Sequence, residues 1–396
     1  MEKTYAPLKS AKITIAKKTS LTDDGGGYYF EDIPVGTHEL RVEYKEKEEG
    51  FPVMIEEDLI TTFDPIVSIS LWPTEWETKD GHKSKVIPVN GEANYVSSSP
   101  DGKFLAIEVF GDTTTGSEIW ILDLKTMKHQ IIPDLRSLLT SKELPFGYQG
   151  NTKQGVDWVS EGNPQWVDNR RIVFQTNVVY PEKKKADGEQ DVEKKVVRQH
   201  FHLWMFDQKT REVNDLDSGF TPHLSKDGKR LLYSKVFDRQ NRDICLLPLE
   251  DGAKMQPIRL TKDKSSQQYP SFGIKDGKEF IYFSAKIDNV FEIWRMEPNG
   301  INATQLKTIP RDGSEARTGA WGPLLHPSGE HLVFWSDDGR VWIAGANGEN
   351  ARVLIERGHN PAWSPDGKYL YYIGGHSWNW QVWRIPYSEI SRKSFT

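Results

Sequence analysis

Residues 359–386, HNPAWSPDGKYLYYIGGHSWNWQVWRIP, carry the pattern on which the chain is built. A short apolar run, 360–364, enters Pro365-Asp366-Gly367-Lys368. That tetrapeptide is a tight turn, because proline presets φ and glycine accepts φ > 0. Residues 369–373 are aromatic and β-branched, as strands prefer. A hairpin loop follows, then a third strand over 381–385 with Trp383 inside it. Three antiparallel strands cannot bury both of their faces, so the unit needs neighbours of its own kind.

The chain supplies them. The turn recurs at 100–103, 226–229, 275–278 and 327–330, and in a shortened form at Asp168-Asn169-Arg170, where Asn169 is expected to take the left-handed conformation. Apolar strands follow at 104–109, 171–176, 230–234, 279–284, 331–336 and 369–373. Next come Ile119-Trp120, Leu203-Trp204, Ile244-Cys245, Ile293-Trp294, Val341-Trp342 and Val382-Trp383. Fourth strands are expected at 130–132, 212–214, 257–260, 304–306 and 352–355. Propeller blades repeat at ~40–50 residues, and these six copies keep that interval apart from one stretched by insertions. The predicted class is all-β, a six-bladed β-propeller preceded by a small β-sandwich. The tryptophans are predicted to be equivalent, buried positions between blades, with Cys245 as a small buried hydrophobe at that place in the remaining unit.

Ser99-Pro100-Asp101-Gly102-Lys103 and Ser364-Pro365-Asp366-Gly367-Lys368 match in full the turn of the PD40 (WD40-like) repeat, and the chain from about residue 83 onward resembles the TolB-type propeller. The unit around Asp168 departs most from that pattern. The resemblance implies a six-bladed binding scaffold, often periplasmic or secreted, without a single implied activity.

Residues 1–73 read differently. Gly27, Tyr28, Phe30, Ile33, Pro34, Gly36, Leu40 and Val42 resemble the carboxypeptidase regulatory-like (transthyretin-like) β-sandwich. That family implies an accessory domain without catalytic residues. Strands are expected at 11–16, 28–30, 38–44 and 66–71. The family's usual first strand is absent or replaced by residues 2–8. Residues 74–84 read as a linker and 85–396 as the propeller. Residues 85–89 look like a fourth strand with no blade before them, so the economical arrangement has them complete the sheet that contains Trp383, leaving no open edge.

Composition narrows the function. The chain has 396 residues, net charge −6, 27% charged and 37% hydrophobic residues, with 14 Trp, 14 Tyr and 17 Phe. No basic footprint for nucleic acid is evident. No run of about 18 apolar residues offers a membrane span. One cysteine excludes an internal disulfide. A monomer in the periplasmic or extracellular space is expected.

Two insertions, 136–160 and the charged 181–200, fall on the face that carries the loops between second and third strands. The charged one is expected to be a solvated hairpin. Loop variation collects where a rigid scaffold binds. Channel-mouth positions on that face, read two residues before the aligned strand proline, are Gly162, Phe220, Gln268, Trp321 and His359, with Asn94 their equivalent; Asn163, Tyr269 and Asn360 come one later. Together with His376 and Trp378 of the last hairpin, these amides, aromatics and imidazoles suit a protein, peptide or glycan, or else only cap the channel and hold water. His200 and His202 form an H-x-H pair with no acidic partner close in sequence. Gly375-His376-Ser377 lacks the second glycine of a nucleophile elbow. The expectation is a non-catalytic binding scaffold without metal or cofactor. The competing possibility is a metal-dependent lyase or hydrolase-like enzyme using the channel.

Overall fold

The computed structural model describes residues 10–23, 28–44, 47–55, 75–77, 83–87, 89, 91–110, 116–132, 158–181, 197–237, 241–250, 253–263, 265–306, 308–309, 318–376 and 379–392. The chain divides into two compact units, Met1–Pro73 and Thr74–Thr396.

In the first unit, strands Lys12–Ile15, Lys18–Leu21, Gly36–Tyr44 and Lys47–Ile55 form one antiparallel sheet in which Lys12–Ile15 lies between Lys18–Leu21 and Gly36–Tyr44. Alternation along Gly36–Tyr44 buries Leu40 and Val42 with Ile13 and Ile15. Tyr28 and Phe30, expected in a strand, instead meet edge to face at 6.0 Å and pack on this core from irregular backbone. The expected strand at 66–71 lies outside the described residues.

Among the described residues of the second unit, six antiparallel sheets succeed one another. They open with strands Glu92–Ser98, Trp158–Trp166, Phe220–Leu224, Gln267–Lys275, Ala320–Leu325 and Gly358–Trp363. Each opening strand touches that of the next sheet, and the sixth touches the first. The result is a β-propeller whose opening strands line the centre. One apolar cluster sits between each adjacent pair of sheets: Phe174 and Phe206 meet Ile119 and Ile121, for example, and Tyr372 and Ile385 meet Val333 and Ile343. The propeller is held sheet to sheet, by faces too apolar for either to stand alone.

The closure expected at the sixth sheet is present. Lys83–Ile87 pairs with Asn379–Pro386, Val86 opposite Trp383. Residues 75–77, expected in the linker, form a further strand against Lys83–Ile87.

The aspartate–glycine turns have a common construction. Ser99 Oγ donates to Asp101 Oδ1 and accepts from the Phe104 N–H, and Ser364, Asp366 and Tyr369 repeat this. Gly228 has φ +68° and lies against the Val167 carbonyl of the preceding sheet, where an added Cβ would stand 2.4 Å from that oxygen. The shortened turn differs from expectation. Asn169 is not left-handed; Asp168 caps the N–H groups of Arg170 (2.8 Å) and Arg171 (2.7 Å), and the Asn169 amide oxygen accepts from Asp101 N–H of the first sheet.

The tryptophans are not equivalent either. Trp383 is buried, whereas Trp120, Trp204, Trp294 and Trp342 are only partly so. Trp120 uses its open face to stack on His129 at 3.9 Å. Cys245 is buried, which pushes its thiol up to about 11. Among the described residues no helix is long and apolar enough to cross a membrane.

Candidate functional site

All six opening strands carry a β-bulge at the same place. It falls between Ala93 and Tyr95, Gly162 and Gln165, Phe220 and His223, Gln268 and Ser271, Trp321 and Leu324, and His359 and Ala362. In five strands the cause is legible: a proline stands there, at 164, 222, 270, 323 and 361. Proline has no N–H for the ladder, so pairing must skip it. The residue before each proline turns left-handed: Asn163 (φ 48°), Thr221 (50°), Tyr269 (53°), Gly322 (59°) and Asn360 (47°). Such backbone costs about 1–3 kcal/mol for a non-glycine residue and persists only where its surroundings enforce it. Here the enforcing contacts come from the preceding sheet. Thr221 N–H donates to Gln175 Oε1 at 2.7 Å, and Asn163 N–H donates to Glu108 Oε2 at 3.0 Å.

The bulged residues converge. Asn94 Nδ2 donates to Glu108 Oε1 at 3.0 Å, and Asn360 Nδ2 donates to the Asn94 carbonyl at 2.8 Å. Tyr95, from the first sheet, meets Tyr269, from the fourth, hydroxyl to hydroxyl at 3.3 Å. Since the opening strands form a ring, this contact crosses the centre. These groups together form a floor of hydroxyls, amides and one carboxyl at the centre of the ring. Burial raises the Glu108 carboxyl to about 7, overriding the donors from Asn94, Asn163 and Ser117. Burial, then Tyr269, pushes the Tyr95 phenol well up.

Beside this floor stands a wall of aromatic rings. Tyr269 meets Trp321 (5.7 Å) and Trp335 (6.3 Å) edge to face. From Trp321 a band runs to Phe291 (3.8 Å) on one side and to Trp335 (6.0 Å, planes 21° apart) on the other. It continues from Trp335 to His359 (6.3 Å) and on to Trp380 (4.8 Å). All these rings are half-buried. They stand where opening strands begin, second strands end and third strands begin, which is the loop-rich face. Asp337 accepts from Trp321 Nε1 at 2.6 Å and from Gly319 N–H at 2.9 Å, which pins that indole. Burial lowers the His359 imidazole to about 4, so it is neutral at physiological pH.

The structure therefore brings together Asn94, Asn163, Tyr269 and Asn360 as floor, and Trp321 and His359 as wall. Gln268 is buried and donates to Ser266 Oγ on its own side of the bulge (3.4 Å). His376 pairs with Asn379 at the hairpin end, and Trp378 lies outside the described residues. Sequence reasoning missed Glu108, Tyr95, Trp335 and Trp380. Glu108 had a signal: it is the one charge inside the apolar strand Phe104–Phe110. Tyr95 lies one residue beyond Asn94, as Asn163 and Tyr269 lie one beyond Gly162 and Gln268.

Elsewhere, His202 of the H-x-H pair does have an acidic partner, Asp215, bonded to its Nε2 from the neighbouring strand Val213–Ser218. Among the described residues no three of His, Cys, Asp and Glu gather as a metal set. The charged insertion continues the pairing of Arg171–Pro181 with Val197–Asp207 out to Pro181 opposite Val197, and residues 182–196 and 133–157 lie outside the described residues.

No protein-family model matches the chain. An uncharacterized protein of Agrobacterium fabrum is 28% identical over 166 residues, 38% of this chain and 52% of that protein, so the chain spans about half the length of that relative. Among solved structures, TolB from Acinetobacter baumannii aligns over 75% of this chain and 63% of its own, with 16% identity and a TM-score of 0.46. Oligogalacturonate lyase from Vibrio parahaemolyticus aligns over 79% of this chain and 96% of its own, with 12% identity and a TM-score of 0.40.

Proposed function

We propose that the chain is a non-catalytic binding scaffold, with residues 85–396 a six-bladed TolB-like propeller that takes a protein, peptide or glycan at the mouth on its loop-rich face. The observation that carries this is the aromatic wall. Trp321, lying between Phe291 and Trp335, and Trp380, beside His359, stand next to a polar floor and stay half-buried together with Trp335. Large rings held open to water are characteristic of binding surfaces. Residues 1–73 serve in this reading as an accessory carboxypeptidase regulatory-like domain joined by residues 74–84, in a periplasmic or extracellular monomer.

The test is affinity capture from an extract of the source cell's envelope. Wild type, Trp335→Ala at the mouth and Lys368→Ala on the opposite face are compared. A species held by wild type and by Lys368→Ala but released by Trp335→Ala supports the proposal; equal retention by all three removes it. Metal analysis of the purified protein addresses the enzymatic alternative. Stoichiometric divalent metal lost in His359→Ala would overturn the non-catalytic reading.

A further inference from the structure

Wall and floor differ in chemistry, and together they restrict what can sit between them. The floor offers the hydroxyls of Tyr95 and Tyr269 and the amides of Asn94, Asn163 and Asn360. Hydroxyls and amides both donate and accept. No Lys or Arg side chain bonds to any of them among the described residues. Arg242 lies at the rim, over the Phe220 ring at 5.6 Å. The Glu108 carboxyl is held from within by Asn94 and Asn163, and its charge and that of Arg242 act on Tyr269 with opposite sign, so the partner that uses such a floor fully is one that donates and accepts at many points and needs no net charge.

The wall supplies flat apolar faces in succession. Phe291 belongs to the fourth sheet, Trp321 and Trp335 to the fifth, and His359 and Trp380 to the sixth. A band repeated over three sheets suits a ligand that repeats too. Trp321 cannot serve as a hydrogen-bond donor to a ligand, because Asp337 holds its indole N–H. Trp321 is also packed between Phe291 and Trp335, so it backs the wall and leaves Trp335 and Trp380 as the rings for a ligand, held in place in a way that lowers the ordering cost of binding. A pyranose has the matching shape: a face of C–H groups that lies flat on an aromatic ring and an edge of hydroxyls.

We propose that the mouth is a subsite for a neutral oligosaccharide, whose sugar rings lie against Trp335 and Trp380 while their hydroxyls bond to the Tyr95–Tyr269 and asparagine floor. This rests on the mouth being the binding face, and it names the ligand class.

The experiment uses the whole chain. Tryptophan fluorescence and calorimetry follow titration with neutral oligomers of glucose, mannose and N-acetylglucosamine, with a uronic-acid oligomer, and with a proline-rich decapeptide. At least one neutral oligomer is expected to bind. Trp335→Ala should weaken it by roughly tenfold, the range of one lost stacking contact. Trp335→Phe keeps a flat face and should retain most of the affinity, which separates stacking from a folding defect. Tyr269→Phe, which removes one floor hydroxyl and leaves the ring, should weaken binding several-fold. Peptide binding that Trp335→Ala abolishes, with no neutral sugar bound, would overturn the sugar assignment and leave the mouth as the binding face. Binding of the uronic-acid oligomer alone would also overturn it. A neutral sugar whose affinity is the same in wild type, Trp335→Ala and Tyr269→Phe would refute the site itself.

Discussion

Replacing Glu108 by glutamine should change how stability depends on pH. In the folded chain burial raises this carboxyl from 4.5 to about 7. A raised carboxyl pKa means that the folded state holds a proton which the unfolded state has already released. Its stabilising contribution is complete below about pH 4.5 and falls away as pH rises through about 7. A tenfold difference in proton affinity between the two states corresponds to about 1.36 kcal/mol, so wild type should lose about 3 kcal/mol across that window through Glu108 alone. Glutamine has nothing to titrate. It can still accept the Asn163 N–H, as Gln175 accepts the Thr221 N–H one sheet later. The second oxygen becomes an N–H₂ facing Asn94, at a cost of about 1 kcal/mol at every pH. Urea midpoints taken stepwise from mildly acidic to mildly alkaline pH should therefore cross. Wild type should equal or exceed the variant at the acid end, and Glu108→Gln should be the more stable by about 2 kcal/mol at the alkaline end. All other titrating groups are common to both proteins and cancel in the difference. Parallel curves would refute the argument that burial dominates at Glu108.

Three further outcomes follow from the same geometry. Gly162→Ala would set its Cβ 2.5 Å from Glu108 Oε2 and should cost about 1–3 kcal/mol by chemical denaturation, with much less lost in a Gly162→Ala/Glu108→Ala pair if that clash is the cause. Gly228→Ala should destabilise more than Gly102→Ala: both are left-handed, a penalty of about 1–2 kcal/mol, but only Gly228 presses on a neighbouring carbonyl, so equal losses would disprove the close approach. Trp383→Ala should cost about 3–5 kcal/mol and Trp120→Ala distinctly less, since Trp383 alone of the pair is buried; equal thermal shifts would mean the two positions are equivalent after all.

The periodic part of the fold was legible because a turn needing glycine, a strand and a tryptophan strand recur in register. Each is a local requirement that leaves its mark on local residues. Prolines 164, 222, 270, 323 and 361 likewise marked where the mouth would be, since a residue without an N–H forces the ladder apart. What was not legible is what depends on partners distant in sequence. Glu108 matters through Asn163, on the next sheet, and Tyr95 through Tyr269, across the ring. Nothing beside either residue in the chain announces those meetings. The tryptophans failed as equivalents for the same reason. The strand pattern places them, but the adjoining sheet decides how deeply each is covered.

The pairing of Val86 with Trp383 joins the beginning of the second unit to its end. Nearly all of the propeller lies in the loop that this pairing closes. Loop closure costs entropy before any contact is gained, so this sheet should be the last to form and the first to open. During synthesis the strand Lys83–Ile87 emerges early and must wait, unpaired, for Asn379–Pro386. Five sheets can assemble in order from neighbouring strands, while the sixth must wait for Asn379–Pro386 to emerge. Shortening the C-terminal end before residue 386 would therefore do more than remove one strand: it would leave the earliest strand without a partner and turn a closed ring into an open stack with an edge free to recruit another chain.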